Sequence, residues 1–238
     1  MRADNRRADE MRPIVITPHA SRFAEGSCLI EFGLTRVLVT ATVEEQVPPF
    51  LRGSKKGWVT AEYAMLPRAT ENRLDRERQL RDGRAKEIQR MIGRCLRASI
   101  DLQKLGERQI KIDCDVLSAD GGTRTASLSG AWVAMALAVQ HLRAVGLLTA
   151  SPMKYQLAAV SVALVDQQPL LDVDYNEDAN SSADGTFVIT DGDKLLELQL
   201  AAERAAFSDD DVTAMLGLAR RGVVAIFTKQ NEALAVGR

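Results

Sequence analysis

The feature that most constrains the fold of this chain is a strand, a glycine turn and a helix between residues 108 and 146. Residues 109–116 alternate apolar and polar side chains, with the two-residue period of a strand that buries one face. Gly121 and Gly122 then permit a sharp turn. Residues 123–145 follow with apolar side chains at helical spacing. The sequence therefore predicts a strand that turns tightly into the start of a long helix.

The predicted turn has the chemistry of an anion site. Its GGTRT motif places free N–H groups, two threonine hydroxyls and the guanidinium of Arg124 at the positive end of the helix dipole. Neither GxxxxGK(S/T) nor GxGxxG occurs, so a nucleotide P-loop and a dinucleotide fingerprint are both absent. A glycine pair before a helix also occurs in ordinary turns. The phosphate-site interpretation therefore depends on what surrounds the motif.

Charge is segregated along the 238 residues, although the net charge is only −1. Residues 166–211 contain thirteen acidic and two basic residues, whereas residues 68–97 contain ten basic and five acidic ones. The ten, which we call the basic belt, are Arg68, Arg73, Arg76, Arg78, Arg81, Arg84, Lys86, Arg90, Arg94 and Arg97. This segregation favours a polyanion partner on one side and a cation on the other. A solvated, salt-bridged surface or a contact between subunits is the alternative.

The residues around the belt refine the polyanion hypothesis. Residues 44–82 form a long, weakly patterned segment that carries Trp58 and Tyr63, and aromatic rings among arginines are typical of single-stranded nucleic-acid binders. A mobile, solvated loop is the alternative. A helix is predicted over 84–105, where three arginines on one stripe call for an anionic neighbour. Arg84 stands in its first turn, where a cation opposes the helix dipole, so we interpret it as a ligand-binding residue.

Carboxylates are concentrated in the second half of the chain. Residues 170–175 are predicted as a strand that carries Asp172 and Asp174 on one face, and Asp178 and Asp184 follow in a loop rich in Asn and Ser. Crowded carboxylates stay ionised when a cation joins them. Oxygen ligands without histidine favour Mg²⁺ or Mn²⁺ over zinc. An exposed acidic loop without a metal is the alternative.

The order of elements predicts an α+β fold of two βα lobes rather than a doubly wound sheet. One domain is predicted over residues 1–228, with lobes at about 10–146 and 155–228 and a frayed tail at 229–238. Residues 1–11 are interpreted as a polar arm, and residues 35–43 as a strand buried on both faces. Isolated, apolar-flanked cysteines, a charged amino terminus and the lack of a long apolar run favour a reducing cytoplasm and no membrane partner.

Together, an anion cradle, a basic belt and a carboxylate cluster are the components of metal-assisted phosphoryl transfer on a polyanion. At this point the chain resembles the ribonuclease PH family of phosphate-dependent 3′→5′ exoribonucleases, over about residues 1–228. The stretches that carry the resemblance are AEGSCLIEFGLTRVLVTATVEE, LRGSKKGWVTAEYAMLPRAT, GRAKEIQRMIGRCLRA and IDCDVLSADGGTRTASLSGAWVA. The resemblance implies a ribonuclease PH-type fold of mixed sheets with packed helices, and trimming of tRNA precursors and other RNA 3′ ends.

The resemblance also implies roles for single residues. Inorganic phosphate, the co-substrate, would bind Arg84 and the Gly122-Thr123-Arg124 motif, and Asp178 and Asp184 would hold Mg²⁺ or Mn²⁺. These four charged residues form the implied catalytic set. Contacts with tRNA would come from three residues of the belt: Arg68, Arg73 and Arg76. A homohexamer, built as a trimer of dimers, is the implied assembly.

The chain departs from the family pattern near the second aspartate. A Met-Asn pair is usual after that residue, whereas Gly185 and Thr186 follow Asp184 here. A small Gly-Thr pair is usual further on, where this chain has Leu200 and Ala201. Both aspartates are present, so metal binding remains the expectation, with reduced turnover. The alternative is a catalytically weakened, RNA-binding ring subunit.

Overall fold

Two antiparallel-rich sheets form the framework of the computed structural model, which describes residues 2–77 and 83–236. The first sheet has the strand order β1-β2-β3-β5-β4, in which only the β4–β5 pair is parallel, and the second has the order β7-β6-β8-β9. The strands are β1 Ile14–Pro18, β2 Gly26–Phe32, β3 Thr35–Glu44, β4 Trp58–Met65, β5 Gln109–Ser118, β6 Leu157–Val165, β7 Gln168–Leu171, β8 Ala183–Thr190 and β9 Leu195–Ala202.

The long helix after the glycine pair lies between the sheets. The α-helices are α1 Gly83–Ser99, α2 Leu102–Leu105, α3 Thr123–Ala144, α4 Tyr175–Asn180 and α5 Asp209–Ala235. Helix α3 contacts β2, β3 and β5 of the first sheet and β6 of the second, and its buried residues cover nearly every side of the helix. One apolar core therefore runs through both halves of the chain. The prediction of an α+β fold with two strand-and-helix halves is confirmed.

Several predicted elements differ from those observed. Strand β3 was expected to be buried on both faces, but Val37, Val39 and Ala41 alternate with more exposed residues, because its outer face lies at the surface. The helix predicted over 84–105 ends at Ser99. Asp101 then caps α2 by accepting hydrogen bonds from two backbone N–H groups, and Gly106, with φ of 72°, ends it as expected.

The segment predicted as a strand over 170–175 is also different. Strand β7 ends at Leu171, and the two aspartates that follow do not share a face. Asp172 is fully buried with φ of 51°, whereas Asp174 caps α4 in a capping box with Glu177. The same helix takes up Asp178, which was expected in a loop.

Both ends of the described chain are more ordered than the sequence suggests. In the predicted polar arm, the side chain of Arg2 is only 4% exposed, and its guanidinium donates two hydrogen bonds of 2.7 Å to Glu177. The predicted frayed tail after Lys229 is wrong up to Ala235, where α5 ends. Gln230 within it is fully buried and hydrogen-bonds to Gln156 and to two backbone carbonyls.

The three cysteines are buried free thiols, as predicted. Burial raises the pKa of Cys28 and Cys95 to about 12, so neither thiol is a thiolate at neutral pH. Among the described helices, none has the length and apolar character required to cross a bilayer.

Candidate active site

The glycine pair adopts the conformation that the sequence predicts. Gly121 and Gly122 have φ of 73° and 66°, and Gly122 is the N-cap of α3. A Cβ on Gly121 would stand 2.6 Å from the carbonyl oxygen of Val173 and 2.7 Å from the carbonyl carbon of Asp174. Gly121 is therefore required both by its backbone angle and by the close approach of the segment that leads to Asp178.

The two threonines of the GGTRT motif have different roles. Thr123 is partly exposed at the helix start, and its hydroxyl oxygen accepts a hydrogen bond of 2.9 Å from the hydroxyl of Tyr63. Thr125 is buried, and its hydroxyl donates to the carbonyl oxygen of Gly122 at 2.9 Å. Only Thr123 is thus placed to offer its hydroxyl to a ligand.

Tyr63 is a supporting residue for this site and not a base-stacking platform. Its side chain is buried, and burial raises the pKa of its hydroxyl, so the group is a neutral donor at physiological pH. Because its own proton goes to the Thr123 oxygen, the Thr123 proton is free to point outwards. The buried ring is therefore not available for the base stacking that an aromatic residue near arginines suggested.

Arg124 is held by two side chains before any ligand binds. Its guanidinium donates to Glu87 at 2.7 Å and to the side-chain oxygen of Gln199, and 22% of the side chain is exposed. Gln199 also donates to Glu87 at 3.2 Å, so α1, α3 and β9 meet in one polar network. In the sequence, Glu87 is only one of the five acidic residues within 68–97. Its role of holding Arg124 depends on a contact that is distant in sequence.

Arg84 lies in the first turn of α1, as predicted, and is exposed. Its charge and that of Arg124 both act on three groups across the site: the hydroxyl of Tyr63 and the carboxylates of Asp178 and Asp184. All four charged residues of the implied catalytic set are therefore within electrostatic range of one another. The structure brings together residues that lie up to 100 positions apart.

The two aspartates come from different elements, Asp178 from α4 and Asp184 from β8. The pKa of Asp178 is raised, first because neighbouring atoms displace its hydration and then because Asp184 repels its charge. The pKa of Asp184 is raised by desolvation and next by Glu203, while Arg124 and Arg84 partly offset both shifts. Glu203 is a third carboxylate at this site that the sequence pattern did not single out.

This pair of carboxylates fits a hard divalent cation. Desolvation, followed by repulsion from Asp184 on Asp178 and from Glu203 on Asp184, disfavours the two charges, which an added cation would stabilise. In the described part of the chain, no group of three or more His, Cys, Asp or Glu side chains is arranged to hold a metal ion. Mg²⁺ is commonly held by only one or two carboxylates, with water and substrate phosphate completing its shell. Asp178 and Asp184 thus offer the number and type of ligands that Mg²⁺ commonly takes from a protein.

The basic belt is exposed at the three residues expected to contact tRNA: Arg68, Arg73 and Arg76. Arg78 and Arg81, together with Asp82, lie outside the described residues. Two arginines of the predicted stripe on α1 have partners within the chain. Arg94 pairs with Glu197 of β9 at 2.5 Å, and the guanidinium of Arg97 lies 4.4 Å from the ring centre of Trp58. Trp58 is thus engaged by an arginine of its own chain.

The two departures from the family pattern face each other across neighbouring strands. Gly185 of β8 pairs with Leu200 of β9, and a Cβ on Gly185 would overlap the end of the Leu200 side chain. Leu200 therefore occupies the space that a side chain at position 185 would need. The substitutions compensate each other in volume next to Asp184.

Fold and site together define a protein with the ribonuclease PH-type fold and a pairing of basic and carboxylate groups suited to phosphoryl transfer. The family model described as 3′ exoribonuclease family, domain 1, matches residues 10–140, and that of domain 2 matches residues 155–222. Ribonuclease PH of Neisseria meningitidis, from serogroups C and A, is 51% identical over 233 residues, which cover 97% of this chain and 96% of the relative.

Solved structures agree on the fold. Rrp46 of rice (Oryza sativa) superposes with a TM-score of 0.76 at 17% identity, covering 98% of this chain and 100% of its own. The Archaeoglobus fulgidus exosome with RNA bound to the active site has a TM-score of 0.79 at 21% identity, covering 96% and 92%. The chain belongs to the 3′ exoribonuclease family that includes ribonuclease PH.

Proposed function

We propose that this chain is a phosphate-dependent 3′→5′ exoribonuclease that trims the 3′ ends of tRNA precursors. The observation that carries the proposal is the convergence of Arg84, Arg124, Asp178 and Asp184 on the start of α3. Near-complete coverage of ribonuclease PH relatives at 51% identity supports the same activity. The enzyme class is a tRNA nucleotidyltransferase that uses orthophosphate as co-substrate.

Orthophosphate binds at the first turn of α3, where the N–H groups and the Thr123 hydroxyl donate to its oxygens and Arg84 and Arg124 supply positive charge. An oxygen of this phosphate bonds to the phosphorus of the last RNA linkage, and the bond from that phosphorus to the 3′ oxygen of the penultimate nucleotide breaks. The products are a nucleoside 5′-diphosphate and an RNA shortened by one nucleotide, whose 3′ oxygen takes up the proton that the attacking phosphate loses. Holding both reactants in line is the main contribution of the residues at the helix start.

Asp178 and Asp184 are the residues that hold the divalent ion in this proposal. When bound, Mg²⁺ or Mn²⁺ neutralises negative charge that develops on the reacting phosphates. Desolvation is the first cause of the raised pKa of both carboxylates, with repulsion by Asp184 next for Asp178 and by Glu203 next for Asp184, and a bound cation would offset these effects.

The RNA is held by the belt, with Arg68, Arg73 and Arg76 donating to phosphates of the tRNA. Exosome-core structures share the fold, which supports assembly of this chain in a ring; the hexamer, a trimer of dimers, is our proposal for that ring. Three buried free thiols are compatible with a reducing cytoplasm, where we place the enzyme.

The activity is tested with an RNA that carries a short, labelled 3′ tail, incubated with and without orthophosphate. Nucleoside diphosphates are expected only when phosphate is present. Release of nucleoside monophosphates at the same rate without phosphate would show a hydrolase and refute the mechanism.

The belt is tested by the salt dependence of tRNA affinity. Affinity is expected to fall steeply with salt, and Arg73→Ala is expected to reduce the slope of log affinity against log salt by about 1. Arg143→Ala is the matched control, because Arg143 is an exposed arginine outside the belt, in the last turn of α3. A flat salt response would contradict the role of the belt.

The departure from the family pattern at Gly185 and Leu200, next to Asp184, favours a second candidate, a ring subunit that binds RNA with weakened chemistry. Asp184→Asn separates the two. An enzyme loses trimming while tRNA affinity is kept, whereas a subunit without chemistry shows the same negligible turnover before and after the substitution.

A further inference from the structure

We propose that Arg12 is a positioning residue that fixes residues 120–122, which we call the phosphate loop, relative to the aspartates Asp178 and Asp184. It lies just before β1, far in sequence from both halves of the site, and its side chain is only 4% exposed. This inference rests on the proposed function and adds to it a residue that contacts neither substrate nor metal.

Arg12 forms hydrogen bonds with Asp172, in the segment that leads to Asp178. Its Nε and Nη2 donate to the two carboxylate oxygens of Asp172 at 3.0 and 2.8 Å, and its backbone N–H donates to the same carboxylate at 2.9 Å. Asp172 is fully buried, and its φ of 51° shows that this contact is kept in an uncommon backbone conformation for a residue that is not glycine. Helix α4, which contains Asp178, begins only a few residues later.

The same guanidinium holds the phosphate loop. Its Nη1 donates to the carbonyl oxygen of Asp120, and Nη2 lies 3.4 Å from the carbonyl oxygen of Gly121. Thr35 supports the loop from the other side, since its hydroxyl donates to the Gly121 oxygen at 2.6 Å and accepts from the Asp120 N–H at 2.9 Å. The carbonyl oxygens of Asp120 and Gly121 are thus both hydrogen-bonded, which fixes the backbone just before α3.

The backbone around Arg12 is shaped to admit it. A Cβ on Gly33 would lie 2.8 Å from Cδ of Arg12, and one on Gly122 would lie 3.0 Å from its Nη2. Burial alone would lower the pKa of Arg12, but the hydrogen bonds and charge of Asp172 outweigh that effect and raise it, so the cation is permanent. Lysine cannot reproduce the contacts, because an ammonium group lacks the planar fork that reaches a carboxylate and two carbonyls together.

Arg12→Lys is the main test, with two readouts that do not depend on turnover. Phosphate affinity is measured by calorimetry on metal-free protein, and Mn²⁺ affinity by electron paramagnetic resonance of the free ion. Both dissociation constants are expected to rise about 10-fold together, with tRNA affinity within about 2-fold of the unmodified protein. Arg36→Lys is the control, because Arg36 makes an exposed ion pair on the same sheet.

Three further variants separate effects on phosphate binding from effects on Mn²⁺ binding. Arg124→Ala is expected to weaken phosphate binding only, and Asp184→Asn to weaken Mn²⁺ binding only. Thr35→Val, which releases the loop but leaves the Asp172 contact intact, is expected to weaken phosphate binding alone and keeps the test informative if Arg12→Lys is too unstable to purify.

A purely structural role for Arg12 makes a different prediction. The folded fraction of Arg12→Lys would then bind phosphate and Mn²⁺ with unchanged affinity and show only a lower Tm, and this result would overturn the proposal. If the unmodified protein binds phosphate but releases no diphosphate, the proposed function fails while the binding test of Arg12 stands.

Discussion

Arg124 provides the sharpest quantitative prediction, because its partners are known. Arg124→Ala removes a charge-assisted contact with phosphate, which is worth about 1.5–3 kcal/mol. It also leaves Glu87 without the cation that lies 2.7 Å from it. That carboxylate then repels the incoming phosphate by about 1 kcal/mol in a water-like dielectric.

Together the two effects amount to about 2.5–4 kcal/mol, or an increase of about 100- to 1,000-fold in the phosphate concentration for half-maximal rate. The second effect can be removed separately. Adding Glu87→Gln to Arg124→Ala keeps the shape of the network and should recover about 5-fold, which corresponds to the repulsion alone.

The assay is release of labelled nucleoside diphosphate at saturating RNA over a wide range of phosphate concentrations. Arg143→Ala, near the opposite end of α3, is the control and should leave the phosphate dependence unchanged. A shift of less than 2-fold for Arg124→Ala would refute the assignment of Arg124 to the phosphate. No recovery in the double variant would refute the electrostatic role of Glu87.

Three more predictions follow from particular contacts. Tyr63→Phe removes the hydroxyl that orients Thr123. Loss of this hydrogen bond, worth about 0.5–1.5 kcal/mol, should raise the half-saturating phosphate concentration about 2- to 10-fold. The control Tyr155→Phe should leave that concentration unchanged, and equal values for both variants would contradict the orienting role. Asp184→Asn should abolish trimming yet raise Tm in metal-free buffer. Since the folded-state pKa of Asp184 lies above its ordinary 3.8, the penalty for its charge develops as pH rises from 3.8 to the raised value and is complete above it. The gain in Tm should therefore vanish below pH 3.8; a gain that does not change with pH would be evidence against this cause. Truncation after Lys229 should lower the free energy of unfolding by about 2–4 kcal/mol, because it removes the buried, hydrogen-bonded Gln230. Denaturant unfolding would measure this loss, with truncation after Ala235 as the control. Equal stability of the two truncated proteins would mean that the end of α5 is dispensable.

The phosphate half of the site could be predicted from sequence because its signal is local. A strand period, a glycine pair and a helical period lie within forty residues, and the observed helix α3 begins at the predicted Thr123. A capping signal is equally local: Ser208 and Asp211 stand at capping-box spacing, and Ser208 is the N-cap of α5. Patterns of this kind depend on a few neighbouring residues.

The acid half was harder because its geometry depends on distant partners. Alternation over 170–175 imitates a strand, but a buried ion pair with Arg12 stops β7 and turns Asp172 into the left-handed region. The role of Tyr63 was missed for a similar reason. Its aromatic ring suggested stacking, whereas the decisive contact is with Thr123, sixty residues further along the chain.

Burial of polar chain ends was also beyond sequence patterns. Arg2 and Gln230 lie in polar segments near the chain ends that read as solvated, yet the side chain of each donates hydrogen bonds to groups from another part of the fold. Periodicity reports which side chains are apolar, and it gives no information about a polar side chain whose partners lie elsewhere.

The contact between Gly185 and Leu200 limits the order in which these positions can change. A large side chain introduced at 185 while Leu200 is present would overpack the strand pair, at a cost of about 1–3 kcal/mol. Trimming Leu200 first would instead leave a hole beside Asp184. Each single step is penalised and the double step is not, so the two sites are expected to be inherited as a unit. Restoring the residues that are usual in the family would therefore require substitutions at positions 185 and 200 together.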